Sequence, residues 1–266
     1  MAKSIVSTLM GIALDEGLIE SVDDPVTEYV PELAERDRRF ERITLQHLLT
    51  MSSGIRYWDT DLPWPFADDT YTYYGADLRE IAIEDTEIER PPGEEFHYNN
   101  YNPLLLGMVL ERTTGMSVSE YASTRLWQPL GAERDATWSL DSGASGFEKM
   151  ESGFNATAAD YARLGLAYLH GGEWAGTRIV YEEWVREATA LDTSTDPADR
   201  YQYFWWVDVE RPGRFYALGN FGQYIYVAPD TGTVIVRTGR DWGIENDAWL
   251  VVLRDVADRL PSLRAA

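Results

Sequence analysis

MAKSIVSTLMGIALDEG, residues 1–17, is the stretch whose reading decides the fold. A mostly apolar run starts at once behind Lys3, one of only two lysines in the chain, and no capping residue stands ahead of it. Ile5, Leu9, Ile12 and Ala13 recur at helical spacing, while Ser4, Ser7, Thr8 and Gly11 keep the remaining face slim enough to pack. The stretch therefore predicts a buried helix. A secretory signal fits poorly, because Asp15, Glu16 and Gly17 stand where small cleavage-site residues belong and the run is too short to span a bilayer. A helix opening on Met-Ala-Lys also lacks the Ser, Thr, Asp or Asn that would satisfy its free N–H groups, a loss of about 1 kcal/mol.

Around that helix the chain is 266 residues long and 44% hydrophobic, enough for a sizeable core in one domain spanning 1–266. The formal charge is −22, which argues against nucleic acid or an anionic membrane as partner, since both would be repelled. An acidic surface with Lys3 and Lys149 as its only lysines fits a protein kept soluble in high salt, and equally an ordinary acidic protein. With no cysteine, disulfides and thiolate metal sites are excluded, while the compartment stays open. His47, His97 and His170 are too scattered to suggest a zinc cluster.

Farther along, "RITLQHLLTMSSG" predicts a short helix ending at Gly54, and residues 55 to 76 read as a loop dense in aromatics, including Trp58, Trp64, Tyr71, Tyr73 and Tyr74. Such a loop is either a pocket rim or a surface segment pinned by its own rings. "RPPGEEFHYNN" is a rigid turn entering a helix from about Asn102 to Thr114. "SVSEYASTRLWQPLG" is a second helix with a capping box at Ser117 and Glu120, and Thr157 opens a third. The last third changes period. "YQYFWWVDVE", "RFYALG" and "QYIYVAPDTGTVIVRTG" read as strands of a meander, the last with a turn at Pro229–Gly232. A closing amphipathic helix carries Trp249, Leu250, Leu253, Val256 and Leu260 toward the sheet. The expected class is α+β: a helical lobe over about 20–190, then an antiparallel sheet and helix over about 200–262.

Three stretches occur in a telling order: "MAKS" heading a buried helix, "YNN" at 98–100 heading another, and "GNFGQ" at 219–223 leading into a strand. With "LLTMSSG", "PPGEEFHYNN" and "GFNATAADYARLG" they resemble the serine β-lactamase and penicillin-binding-protein-like family, especially its class C, esterase and 6-aminohexanoate-dimer-hydrolase branches. The resemblance covers essentially the whole chain. It implies a Ser-x-x-Lys motif with a serine nucleophile, and counting back three from Lys3 puts that serine one place before Met1. It further implies that Lys3 and Tyr98 share the proton of the attacking hydroxyl, that Asn100 holds the amide or carbonyl side of the substrate, and that no metal or cofactor is needed.

At the strand motif, Asn220, Phe221 and Gly222 replace the family's Lys-Thr-Gly. There Gly222 would let substrate lie along the strand and the Gln223 N–H would be one oxyanion donor. The absent Lys or His removes the charge that greets a β-lactam carboxylate. The expectation is therefore an ester- or amide-cleaving serine hydrolase acting on a small molecule, inactive as printed. A non-catalytic relative that binds peptide or β-lactam-like ligands is the alternative. Each residue also has a plainer reading: Tyr98 as a rim tyrosine, Asn100 as a helix cap, Gly222 as a bulge. Trp205, Trp206 and Trp242 are expected as further pocket walls. Strands missing ahead of Lys3 would leave a sheet edge bare and the first helix with an exposed face.

Overall fold

The computed structural model describes residues 1–59, 66–191 and 200–264. Ten α-helices are found there: α1 (Ala2–Asp15), α2 (Glu32–Arg36), α3 (Leu45–Leu49), α4 (Asp68–Tyr74), α5 (Leu78–Glu84), α6 (Tyr101–Thr114), α7 (Val118–Ala122), α8 (Ala158–Leu169), α9 (Glu182–Ala188) and α10 (Asn246–Arg264). Two-residue ladders join β1 (Thr137–Trp138) to β2 (Phe154–Asn155) and β3 (Glu173–Trp174) to β4 (Thr177–Arg178). The main sheet is an antiparallel meander of β5 (Tyr201–Gln202), β6 (Trp205–Val207), β7 (Phe215–Gly219), β8 (Gln223–Ala228) and β9 (Thr233–Arg237), in that spatial order. The α+β class and the meander are as expected.

Alternation along the strands divides the core into two layers. Tyr216, Tyr224, Tyr226 and Ala228 pack with Leu253 and Ala257 of α10 on one face, while Phe215, Ala217, Ile225 and Val227 join the main core on the other. On that inner face α8 lies so close that a Cβ on Gly165 would stand 2.6 Å from Val234 Cγ1. The register Tyr216↔Tyr226 and Ala217↔Ile225 keeps the two sets apart, since a slip of one residue would exchange them.

Helix α1 is the axis of the molecule. Every residue from Ala2 to Ala13 is buried, so the expected exposed face is not there. The slim face packs as tightly as the apolar one. Ser4 Oγ donates to Phe204 O at 2.8 Å, and Thr8 Oγ1 meets Tyr168 Oη at 2.9 Å. Gly11 admits the buried Trp184 indole so closely that a Cβ there would lie 2.6 Å from the ring. Gly11→Val is therefore expected to lower unfolding free energy by about 1–3 kcal/mol, read from urea denaturation with an unchanged m-value.

Several elements differ from the sequence reading for definite reasons. Helix α3 stops at Leu49, because Met51 turns left-handed at φ 58°. Gly54 is a close-approach site instead, where a Cβ would lie 2.2 Å from Arg90 O. Within the aromatic loop, residues 68–74 form α4, started by two acids at the positive end of its dipole. Ser117 Oγ accepts from the Glu120 N–H at 3.2 Å and caps α7. "YQYFWWVDVE" is not one strand but a hairpin, folded back at Tyr203 and Phe204, both with positive φ. On α10, Val256 is exposed, and Arg254 and Ala257 occupy the inner face beside Leu253.

Candidate active site

The N-terminus of α1 opens into a cavity of about 780 Å³. Its floor is Lys3 together with the end of β7, where the Met1 nitrogen donates to Leu218 O at 3.0 Å. Lys3 is only 6% exposed, so its amine must be paired within the protein. Nζ donates to Asn100 Oδ1 at 2.9 Å and to the Glu151 carbonyl at 3.4 Å, and it stands 4.5 Å from the centre of the Tyr98 ring. Burial pulls the Lys3 amine down, but Tyr98, Tyr73 and Glu151 outweigh it, and the net direction is upward. The resting form of Lys3 is therefore the ammonium.

Tyr98 is fixed by its neighbours. Its ring stacks on Trp206 at 6.0 Å and meets Tyr201 edge-on at 5.8 Å, while the side chain remains 37% exposed on the cavity wall. Asn100 is 3% exposed and lies behind Lys3, outside the cavity lining. Its Nδ2 donates to Tyr57 Oη at 2.8 Å and to Thr72 Oγ1 at 3.1 Å, and Tyr57 in turn donates to Asp69. Both ends of the Asn100 amide are thus engaged by the protein. It orients the Lys3 amine and ties it to α4. It makes no side-chain cap for α6.

Asn220 and Gln223 line the cavity, and Gly222 does not. Gly222 sits at φ +69° against Arg237, and the glycine beside the helix start is Gly219, where a Cβ would stand 3.2 Å from the Met1 nitrogen. Gln223 clamps Gly239 in both directions, Nε2 to the carbonyl at 2.6 Å and the Gly239 N–H to Oε1 at 2.9 Å. Arg237 is fully occupied: it donates to Phe221 O and Gly222 O and stacks over Trp249 at 4.0 Å.

Of the expected aromatic walls, Tyr73, Tyr74, Trp206 and Trp242 line the cavity. Trp58 and Tyr71 do not, and Trp64 lies outside the described residues. Trp205 is instead fully buried in the core, because it alternates with Trp206 along β6 and takes the opposite face. Glu151 and Ser152 face the cavity from the segment joining β1 to β2, and Asn155 from β2 itself, although the sequence reading singled out none of them. The available signal was Lys149, the second lysine of a lysine-poor chain, two residues before Glu151.

Among the described residues, no group of His, Cys, Asp or Glu could hold a metal ion, and no helix is long and apolar enough to cross a membrane.

Comparison with known proteins places this cavity in a family. A 6-aminohexanoate-dimer hydrolase of Paenarthrobacter ureafaciens is 33% identical over 256 residues, covering 89% of this chain and 64% of the relative. Protein flp of Staphylococcus aureus is 31% identical over 113 residues, which is 41% of this chain and 22% of that protein. The chain thus spans less than two thirds of the length of either relative. A solved structure from Bacillus anthracis, described as a 6-aminohexanoate-dimer hydrolase, superposes with a TM-score of 0.83 at 25% identity, covering 98% of this chain and 72% of that one. A penicillin binding protein from Bacillus halodurans shares the fold, with a TM-score of 0.72 at 19% identity over 96% of this chain and 84% of its own. The family described as Beta-lactamase matches residues 1–246, and with the α1 cavity and the five-stranded meander in place the chain belongs to that family.

Proposed function

We propose that this chain carries the proton-handling and substrate-binding parts of a serine hydrolase that cleaves a small ester or amide through an acyl-enzyme. The observation that carries the reading is the convergence of Lys3, Tyr98 and Asn100 at the start of α1. They come from segments 97 residues apart and meet beside the β7–β8 turn. In this reading the attacking hydroxyl is that of a serine three places ahead of Lys3, where a Ser-x-x-Lys motif puts it.

Each residue then has a chemical task. The serine oxygen attacks the substrate carbonyl carbon, and its proton passes to the Tyr98 oxygen, which enters the step as phenolate and leaves it as neutral phenol. The Lys3 ammonium, pinned by Asn100, stabilises the negative charge that precedes this transfer. The oxygen of the tetrahedral intermediate lies at the positive end of α1. A second donor would come from the strand edge at Gly219 to Gln223. Tyr98 returns the proton to the departing nitrogen or oxygen as that bond breaks, and water then repeats the sequence to release the acid. Lys3 is the one side-chain cation among the described lining residues, and Arg237 is already spent on carbonyls. With Tyr73, Tyr74, Trp206 and Trp242 around it, the cavity suits a linear acyl group better than a β-lactam carboxylate.

The test compares p-nitrophenyl butyrate and 6-aminohexanoate-dimer hydrolysis by the 266-residue chain and by the chain extended upstream in the same reading frame. Turnover is expected only in the extended protein. Equal turnover by both would overturn the reading, and an extended protein that binds the dimer without cleaving it would mark a binding relative instead.

A further inference from the structure

We propose that Glu151 is the buried counter-charge of Lys3, a positioning residue that sets the pH at which the Lys3 amine loses its charge. Three observations carry this. Glu151 is only 6% exposed, its backbone carbonyl accepts from Lys3 Nζ at 3.4 Å, and its Oε2 is buried with no hydrogen-bond partner. Its other oxygen accepts from Ser152 Oγ at 2.9 Å. Lys3 meets Glu151 at its backbone carbonyl and Lys149 stands two residues ahead of it in the chain, and both lysines draw the carboxyl's pKa down. Lys149 also donates to Tyr73 O, which pins α4 over the site. In a chain whose other 21 basic side chains are arginine, two lysines at one carboxyl mark a place where a compact ammonium is needed.

A buried carboxyl with an unpaired oxygen is costly unless it is neutral or charge-paired. Burial accordingly pushes Glu151 upward, against the pull of Ser152, Lys3 and Lys149. The other groups near Lys3 are the Met1 amine, which burial and Lys3 hold down at about 5, the phenols of Tyr98 and Tyr73, and the neutral Asn100. Among the groups near Lys3, Glu151 supplies the one carboxylate that acts on it. When it ionises, it favours the ammonium; when it is protonated, that support is withdrawn.

The inference takes its catalytic meaning from the serine-hydrolase reading, but its test needs no turnover, so either can fail alone. With only two lysines, selective ¹³Cε labelling gives two resolvable signals, assigned by Lys149→Arg. In the 266-residue chain with its N-terminal amine acetylated, which removes the Met1 titration near 5, the Lys3 signal should move in two steps. The first lies above pH 4.5, as Glu151 ionises, and the second above pH 10.5, as Lys3 itself deprotonates. In Glu151→Gln the first step should vanish and the second should move to lower pH. Glu151→Asp should keep both steps. A single-step titration of Lys3 in the acetylated chain, or an unchanged midpoint in a folded Glu151→Gln, would overturn the proposal. The acetylated chain decides alone if the variant does not fold.

Discussion

In the upstream-extended protein, Lys3→Met is expected to lower the rate of acylation by about 10²–10⁴-fold, and Tyr98→Phe by a similar factor. Both changes preserve shape. Methionine fills the aliphatic path of Lys3 without its charge, and phenylalanine keeps the stacking on Trp206 and Tyr201. The loss should therefore appear in kcat with little change in KM, as befits groups that act on the transition state more than on bound substrate. The two should also be strongly non-additive. On the proposed reading Tyr98 handles the proton with the help of the Lys3 ammonium 4.5 Å from its ring, so the double variant should be scarcely slower than either single one. Stopped-flow acylation by a p-nitrophenyl ester checks this; additive losses would mean that the two residues work independently.

The largest stability effect is expected where α10 meets the sheet. Asp208 follows β6 and is 1% exposed. It accepts from Arg254 Nε at 2.9 Å and Nη2 at 2.6 Å and from Tyr226 Oη at 2.8 Å. This pair fixes α10 to the sheet. Asp208→Ala leaves the buried Arg254 facing only the solvent-exposed Glu210, at a cost of about 3–5 kcal/mol. In a protein of this size that is a fall in Tm of about 10 °C. Removing both charges in Asp208→Ala/Arg254→Met should restore much of it, because a well-packed apolar pair needs no counter-charge. A change under about 2 °C in the single variant would show that α10 is held by other contacts.

The same helix carries a pH dependence of known sign. Arg214 pairs with Asp230 and Asp258 and holds both carboxyls below their ordinary 3.8. Their contribution is thus present above that value and is lost as the pH falls through the lowered pKa values.

What the sequence made legible follows from the range of the forces involved. Helix α1 was readable because a fully apolar-plus-small pattern admits one environment, and β7 to β9 because alternation and a Pro-Asp-Thr-Gly turn are local signals. Helix α4 was not, since 68–74 shows no apolar stripe; Asp68 and Asp69 hold it through Tyr101 and Tyr57, which lie elsewhere in the chain. The Tyr203–Phe204 reversal was hidden inside an unbroken aromatic run. At the site, Lys3 and Tyr98 lie within motifs that sequence displays. Glu151 reaches the same cavity by tertiary juxtaposition alone, Gly219 rather than Gly222 of the quoted GNFGQ stands beside the helix start, and Asn100 proved to face the lysine because only the fold brings Tyr57 and Thr72 to its amide.

The most direct measurement is peptide mapping of the upstream-extended protein after reaction with a fluorophosphonate. A single phosphonyl group on the serine three residues before Lys3, greatly slowed in Tyr98→Phe, is the predicted result. A label on Ser4 or Ser152, or equal labelling with Tyr98 and Lys3 replaced, would contradict the account.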